Sequence, residues 1–283
     1  MLQTESQTIN ELDRKEERLV EILKKMESAV VGFSGGVDSA YLAYMANRVL
    51  GRNALSVTAM SPSFPSYQLK ETADFVERFQ LHHITIQTEE LENPQYQENS
   101  PNRCYFCKSE LFTKLQAIAA QSGYQAILDG TNFDDLGDYR PGRQAAAESL
   151  VRSPLLEARM TKLDIRELSR RASLPTWDKP ALPCLSSRFP YGIPISSEKL
   201  SVVDRGETLL RSYGFRVFRV RYHESLVRLE FSPEELPKAL NMTMAAILLK
   251  EFKTLGFKYV TVDLEGYRSG ALNEVLPQKP NPS

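Results

Sequence analysis

Six consecutive residues place two glycines, two hydroxyls and a carboxylate where a predicted strand passes into a predicted helix: Ser34-Gly35-Gly36-Val37-Asp38-Ser39. At such a junction, consecutive backbone N–H groups and the positive end of the helix point to one spot, and the glycines let an anion approach closely. The segment therefore predicts a phosphate-binding loop. The alternative is an ordinary glycine turn capped by its Ser and Asp side chains.

The chemistry of this loop differs from that of a Walker A loop, because the lysine of that motif is absent. Phosphate would have to be held by backbone amides and by the hydroxyls of Ser34 and Ser39. Asp38 would repel a polyphosphate, so we expect its carboxylate either to cap the helix or to bind Mg²⁺.

Three cysteines form a second group of reactive side chains: a CxxC pair, Cys104 and Cys107, and a later Cys184. A zinc site is disfavoured, because the histidines have no suitable spacing to supply its fourth ligand. Three cysteines suit a 4Fe-4S cluster with one open iron, whereas a redox or persulfide pair and structural cysteines are the alternatives. Cys184 lies in a proline-rich loop near Arg188, whose positive charge would favour the thiolate of a candidate nucleophile. The alternative is an ordinary loop cysteine with an arginine at the rim of the loop.

Arginines alternate along a predicted strand of the C-terminal region, where Arg219 and Arg221 share one face. If residues 224–225 form a two-residue hairpin loop, Arg221 pairs directly with Arg228 across the hairpin. Like charges in that position destabilise a sheet, so the pairing indicates either an anionic ligand or screening by solvent. Arg268 follows a later predicted strand and adds a further positive charge or belongs to a polar turn.

Composition limits the classes of function that these residues can serve. The 283 residues are 42% hydrophobic and 25% charged, which is typical of a globular protein with one large or two medium domains. A net charge of -1 gives no global positive field, so nucleic acid and anionic membranes are not expected partners. We see no signal peptide and no apolar run long enough to span a membrane, and we expect a cytoplasmic location.

The elements that must position these residues follow from hydrophobic periodicity. Strands alternate with helices through the first part of the chain, which predicts an α/β fold with a parallel sheet. The predicted strands span 28–33, 54–60, 83–86 and 125–129, and helices are predicted over 107–121 and 162–172, among others. Five prolines between 174 and 194 end this pattern, so we place a domain boundary there, with domains 1–194 and 195–283. The second domain is predicted to be a small α+β unit with a helix over 197–213, a hairpin over 216–231, a second helix over 233–255 and a final strand over 259–264.

Four motifs occur in a characteristic order along the chain, and their residues are SGGVDS, GTNFDD, PCLSSR and DLEGYRSG. With this arrangement the chain resembles the LarE family, within the ATP pyrophosphatase (PP-loop) superfamily, from its first helix to about residue 276. The resemblance implies an adenine nucleotide alpha hydrolase-like fold. It also implies a reaction in which ATP adenylates a carboxylate of pyridinium-3,5-biscarboxylic acid mononucleotide with release of pyrophosphate. Sulfur then displaces AMP and leaves a thiocarboxylate, a precursor of the nickel-pincer nucleotide of lactate racemase.

The resemblance also implies roles for individual residues. The implied ATP contacts are Ser34, Gly35, Gly36, Val37, Asp38, Ser39, Ser61, Gly130 and Thr131. Cys184 matches the cysteine that gives up its own sulfur in single-cysteine members of the family. Cys104 and Cys107 depart from that pattern and resemble a variant in which three cysteines hold a 4Fe-4S cluster that carries a transferable sulfide.

Other partners are implied less directly. Arg219, Arg221 and Arg268 are candidates for binding the mononucleotide phosphate, which suits bidentate guanidinium chemistry. The family usually forms homo-oligomers, and the source of the transferred sulfur stays open. The alternatives are a cluster-dependent tRNA thiolase or an amidating ligase of the same superfamily, and a module that senses ATP without chemistry.

Overall fold

A computed structural model describes residues 2–137, 141–180, 183–268 and 270–275, and it divides the chain into two compact units. Unit 1 comprises Met1–Ser61, Ser66–Tyr96 and Asn102–Leu182. Unit 2 comprises Pro62–Pro65, Gln97–Pro101 and Pro183–Ser283. The division therefore differs from the sequence-based boundary at 194, because residues 183–194 pack with unit 2. No helix in the described ranges has the length and apolar character needed to cross a membrane.

Unit 1 is built on a sheet of four parallel strands, which confirms the predicted α/β fold. The strands are β1 (Ala29–Gly32), β2 (Ala54–Met60), β3 (His83–Gln87) and β4 (Ala126–Leu128), in the spatial order β3-β2-β1-β4. The order reverses direction at β1, which has β2 on one side and β4 on the other. In open parallel sheets, ligands bind at such a switch point, outside the carboxyl ends of the strands.

Helices cover both faces of this sheet, because both faces are apolar. The helices of unit 1 are α1 (Leu2–Lys24), α2 (Val37–Leu50), α3 (Ser66–Phe79), α4 (Pro94–Gln97), α5 (Arg103–Ser122), α6 (Pro141–Glu148), α7 (Pro154–Glu157) and α8 (Lys162–Arg171), with α4 ending at the border of unit 2. Val31 packs into the core shared with α1, α2 and α8, whereas its neighbour Val30 packs against α5 on the opposite face. Helix α5 begins at Arg103, before the predicted start at Cys107.

Unit 2 has the predicted mixture of helices and strands around a sheet in the order β5-β6-β7. Its elements are α9 (Ser197–Ser212), β5 (Phe218–His223), β6 (Leu226–Phe231), α10 (Leu236–Leu240), α11 (Met242–Thr254) and β7 (Tyr259–Val262). The hairpin β5-β6 is antiparallel, and β7 pairs in parallel with β6. The long helix predicted over 233–255 is divided into α10 and α11, because the Asn241 side chain accepts the Thr243 N–H and caps a new helix.

The proline-rich segment after residue 183 is irregular, as predicted, and a buried asparagine holds it in place. Asn99 has a left-handed backbone, with φ of 55°, and is completely buried. Its Nδ2 donates to the carbonyl oxygens of Pro190 at 2.7 Å and Ile193 at 3.0 Å. A single 3-10 turn, Leu185–Arg188, interrupts the segment directly after Cys184.

Candidate active site

The glycine loop between β1 and α2 brings two hydroxyls together at the start of the helix. The Ser34 and Ser39 Oγ atoms lie 3.0 Å apart, and the Ser39 Oγ also accepts the Ser34 N–H at 3.2 Å. Gly36 is the N-cap residue of α2, and no side chain of the described residues makes a cap hydrogen bond there. The Asp38 carboxylate instead pairs with a lysine, and its role as an Mg²⁺ ligand stays a prediction.

Different structural reasons explain the two glycines of the loop. Gly35 has φ of +73°, and a Cβ added there would lie 2.7 Å from Thr72 Oγ1. A Cβ added at Gly36 would meet only Ser34 Oγ at 3.5 Å and Ser39 Oγ at 4.0 Å, so it would stand beside the two hydroxyls without a clash. Gly35 is therefore required by the fold, whereas Gly36 leaves open the space in which a phosphate would bind.

The loop after β4 packs directly against this helix start. A Cβ added at Gly130 would lie 3.0 Å from the backbone nitrogen of Ser39. Thr131 is held by Asp129, which accepts its N–H at 3.1 Å and its hydroxyl at 2.8 Å. The structure thus brings Gly130 against the start of α2, with Thr131 next to it, as expected for neighbouring strands at a switch point. In the loop after β2, the Ser61 hydroxyl donates to buried Glu90.

Two lysines distant in sequence reach the loop that lacks a Walker A lysine. Lys162 Nζ donates to Asp38 Oδ2 at 2.5 Å, and Lys179 Nζ lies 3.3 Å from the carbonyl oxygen of Gly35. Lys179 also pairs with Glu71 at 2.7 Å. Sequence reasoning assigned neither lysine to the site, although it did place Lys162 at the start of a helix, where the structure has a capping box.

The charges around the loop fit a magnesium nucleotide. Asp38 Oδ1 is buried without a hydrogen-bond partner among the described residues, and carboxylate oxygens are preferred Mg²⁺ ligands. The amides of the helix start, the two hydroxyls and the ammonium groups of Lys162 and Lys179 are suitable donors to phosphate oxygens. The donor set therefore fits ATP and Mg²⁺.

The three cysteines are distributed over both units. Cys104 and Cys107 lie one helical turn apart at the beginning of α5, on the same side of the helix. Cys184 belongs to unit 2 and precedes the 3-10 turn. Within the described ranges, no group of three or more His, Cys, Asp and Glu side chains is arranged to hold a metal ion. The pair on α5 fits two adjacent ligand positions, and the three-cysteine cluster stays a prediction.

A carboxylate of the protein balances the positive charges of two hairpin arginines. The predicted register is confirmed, with Arg221 opposite Arg228 and residues 224–225 between the strands. Glu230 accepts two hydrogen bonds from Arg221, both at 2.8 Å, and one from Arg228 at 3.1 Å. The like-charged pair is therefore explained by a buried glutamate, an explanation that sequence reasoning did not consider.

The other two candidate arginines differ in their surroundings. Arg219 is 4% exposed and donates to Phe218 O at 2.6 Å and Tyr267 Oη at 3.1 Å. Burial, together with the nearby positive charge of Arg188, lowers the pKa of Arg219 to about 10. Arg268 lies at the surface and pairs with Glu265 and Glu274. Their role in binding a substrate phosphate stays a prediction.

Comparison with known proteins identifies the family. The family model of NAD synthase matches residues 12–121. A pyridinium-3,5-bisthiocarboxylic acid mononucleotide synthase of Lactiplantibacillus plantarum is 36% identical over 94% of this chain and 96% of its own length. The chain belongs to the LarE family. Family membership makes it an enzyme of ATP-dependent sulfur transfer.

Two further relatives have no assigned activity. An uncharacterized protein of Synechocystis sp. is 47% identical over 94% of this chain and 99% of its own length. An uncharacterized protein of Methanocaldococcus jannaschii is 30% identical over 87% of this chain and 92% of its own length. The match to NAD synthase ends within α5, so it includes the glycine loop and the CxxC pair. The similarity to the Lactiplantibacillus plantarum synthase extends over 94% of this chain and so includes Cys184 and the hairpin.

Proposed function

We propose that this chain adenylates a carboxylate of pyridinium-3,5-biscarboxylic acid mononucleotide and converts it to a thiocarboxylate for the nickel-pincer cofactor of lactate racemase. The observation that carries the proposal is the 36% identity to the Lactiplantibacillus plantarum synthase, over 94% of this chain. The glycine loop supports it, because the loop offers phosphate donors at the switch point of the sheet.

In the proposed activating step, a carboxylate oxygen of the substrate attacks the α-phosphorus of ATP, and the bond to the β-phosphate oxygen breaks. The leaving pyrophosphate takes the electron pair. The amides that begin α2 and the hydroxyls of Ser34 and Ser39 would hold this pyrophosphate, and Lys162 and Lys179 would balance its charge. Asp38 Oδ1 would be a ligand of the Mg²⁺ that accompanies the nucleotide.

For the second step we propose Cys104, Cys107 and Cys184 as ligands of one 4Fe-4S cluster. Such a cluster, when bound through three cysteines, leaves one iron open to carry a sulfide. The support from this chain is the spacing of Cys104 and Cys107, which presents two thiols on one side of α5. The rival mechanism is transfer of the sulfur of Cys184 itself, for which a CxxC pair has no role.

Pyrophosphate release tests the activating step. Purified protein should release pyrophosphate from ATP when the pyridinium mononucleotide is present, and release should be low without it. Pyrophosphate release stimulated by tRNA instead would favour a tRNA thiolase. ATP binding without release under any of these conditions would indicate a nucleotide-sensing module.

Iron content and intact mass distinguish the two sulfur sources. Anaerobically reconstituted protein should bind about four irons, absorb visible light broadly and complete more than one turnover when given sulfide, and Cys104→Ala should abolish all three properties. If Cys184 donates its own sulfur, Cys104→Ala should retain one turnover, and Cys184 should become about 34 Da lighter through loss of hydrogen sulfide. An iron-free wild type that shows this mass loss would overturn the cluster.

The roles of the two parts of the chain are also proposals. We propose that residues 1–194 perform adenylation and that residues 195–283 bind the substrate and form contacts in a cytoplasmic homo-oligomer. Exposed apolar side chains of unit 2 support such contacts, since Met242 is 82% and Tyr259 62% exposed. Sedimentation of the full chain measures the oligomeric state.

A further inference from the structure

The turn that carries Cys184 is attached to a completely buried ion pair. Arg188 and Glu207 of α9 are 0% and 1% exposed, and the guanidinium binds the carboxylate through Nε at 2.7 Å and Nη2 at 2.9 Å. The remaining nitrogen, Nη1, donates to the carbonyl oxygens of Pro183 at 2.7 Å and Cys184 at 3.0 Å. The two peptide carbonyls on either side of the Cys184 Cα therefore share one donor.

A second buried pair holds the other end of the same turn. Arg221 binds Glu230 through Nε and Nη2, and its Nη1 donates to the carbonyl oxygen of Ser187 at 2.8 Å. The Ser187 hydroxyl accepts from Arg188 at 2.8 Å and donates to the carbonyl of Cys184 at 2.9 Å. The turn is thus held at both ends by guanidinium groups that are themselves held by glutamates.

Stability alone is a weak reason for this arrangement. Removing four charges from water is costly, and buried ion pairs are often replaced by apolar residues without loss of stability. A guanidinium, however, is planar and donates in several fixed directions, so it orients the backbone groups it binds. Although burial raises the pKa of Glu207, the charge of Arg188 more than offsets this and brings that pKa below its ordinary value. The pair therefore remains ionised at neutral pH.

We propose that Arg188 and Arg221, each oriented by its glutamate, are positioning residues that fix the direction of the Cys184 thiol for sulfur transfer. The inference rests on the proposed function in one respect, since it assumes that sulfur chemistry occurs at Cys184. It assigns Arg221 a task other than binding the substrate phosphate. It also replaces the expected effect of Arg188 on the thiol through charge with an effect through backbone geometry.

Arg188→Lys tests the proposal, because lysine keeps the charge but loses the planar array of donors. We expect ATP-dependent pyrophosphate release to stay within about twofold of wild type, and thiocarboxylate formation to fall by about a hundredfold, as for a misplaced reacting group. In the full chain stripped of iron under anaerobic conditions, we expect the iodoacetamide labelling rate of Cys184, relative to that of Cys104, to change several-fold. Peptide mass spectrometry measures both rates in one sample.

Two further variants keep the test decisive. Arg205→Lys is the matched control: Arg205 is exposed on α9, the helix that carries Glu207, and its replacement should change neither readout. If Arg188→Lys does not fold, Ser187→Ala removes the two hydrogen bonds of the Ser187 hydroxyl but keeps both ion pairs, and it should change both readouts in the same direction by a smaller factor. Wild-type thiocarboxylate formation and an unchanged labelling ratio in the folded variant would overturn the proposal. If wild type itself forms no thiocarboxylate, the proposed function fails, and the labelling ratio alone decides whether the arginines position the thiol.

Discussion

Replacement of Gly36 by alanine should separate nucleotide binding from folding. The backbone of Gly36 has φ of −76° and ψ of 167°, which alanine adopts without strain, and the added methyl makes only ordinary contacts. Alanine is worse than glycine at an N-cap by up to about 1 kcal/mol, but it lowers the entropy of the unfolded chain by about 0.4–1 kcal/mol. These terms nearly cancel, so the midpoint of thermal unfolding should move by no more than about 2–4 °C.

The effect on ATP should be much larger. The methyl group would stand 3.5 Å from Ser34 Oγ and 4.0 Å from Ser39 Oγ, in the space where a phosphate oxygen in reach of both hydroxyls would bind. Loss of one charge-assisted hydrogen bond costs about 1.5–3 kcal/mol, which raises the dissociation constant of ATP roughly tenfold to more than a hundredfold. Isothermal titration calorimetry with a slowly hydrolysed ATP analogue measures this constant directly.

Two other glycines provide matched controls. Gly35→Ala introduces a left-handed alanine whose Cβ lies 2.7 Å from Thr72 Oγ1, so it should lower the free energy of unfolding by more than about 1–2 kcal/mol. Gly123→Ala has the same sign of φ at the end of α5, but no described atom lies within 4 Å of its Cβ, and ATP binding should be unchanged. A folded Gly36→Ala protein with wild-type affinity for ATP would refute the reasoning.

Three further predictions follow from the contacts of single residues. Asp38→Asn should raise the Mg²⁺ concentration needed for pyrophosphate release, because it removes a carboxylate ligand. It should change the free energy of unfolding by less than about 1 kcal/mol, because the ion pair of Asp38 with Lys162 is partly exposed. An unchanged Mg²⁺ dependence would exclude Asp38 as a ligand. Arg221→Ala should lower the free energy of unfolding by about 3–5 kcal/mol, because it leaves the carboxylate of Glu230 buried without this partner. Arg268→Ala, at the surface, should change it by less than about 1 kcal/mol, and urea unfolding of both variants checks this difference. Weaker substrate binding by Arg268→Ala alone would identify Arg268 as the contact to the substrate phosphate. Burial lowers the pKa of His83, so the unfolded chain binds a proton more readily, and stability should fall as the pH falls below about 6.5, the ordinary value. His83→Gln should reduce this loss in urea unfolding measured between pH 5 and pH 8, and an unchanged pH dependence would show that His83 does not contribute.

Local sequence patterns were sufficient for most of the fold. The run at 54–60 predicted a strand that the structure confirms, because a central strand covered on both faces is rich in apolar residues. The short strand predicted at 83–86 is also confirmed, although it lies at the edge of the sheet and none of its residues is buried. The hairpin register also followed from sequence, since a two-residue loop and alternating side chains leave only one pairing. The long helix over 233–255 was wrong because Asn241 caps a new helix, a short-range signal that was not weighed against the continuous apolar spacing.

The sequence allowed residues of the candidate site to be predicted only where those residues are neighbours in the chain. The glycine loop and the CxxC pair could be predicted, because their chemistry depends on a few adjacent residues and on the helix that follows. Lys162 and Lys179 could not, since each approaches the loop across more than a hundred residues of intervening chain. Their contacts arise from the packing of helices on the sheet, which has no local signature.

The arginines of unit 2 show the same division most clearly. Alternation along the strand determined that Arg219 and Arg221 share a face and that Arg221 lies opposite Arg228. Only the tertiary structure decided that Glu230 neutralises this pair and that Arg188 is buried against Glu207 rather than exposed beside a thiol. The physical reason is that a buried charge must find its partner wherever the fold supplies one, and that partner is set by the three-dimensional packing of strands and helices.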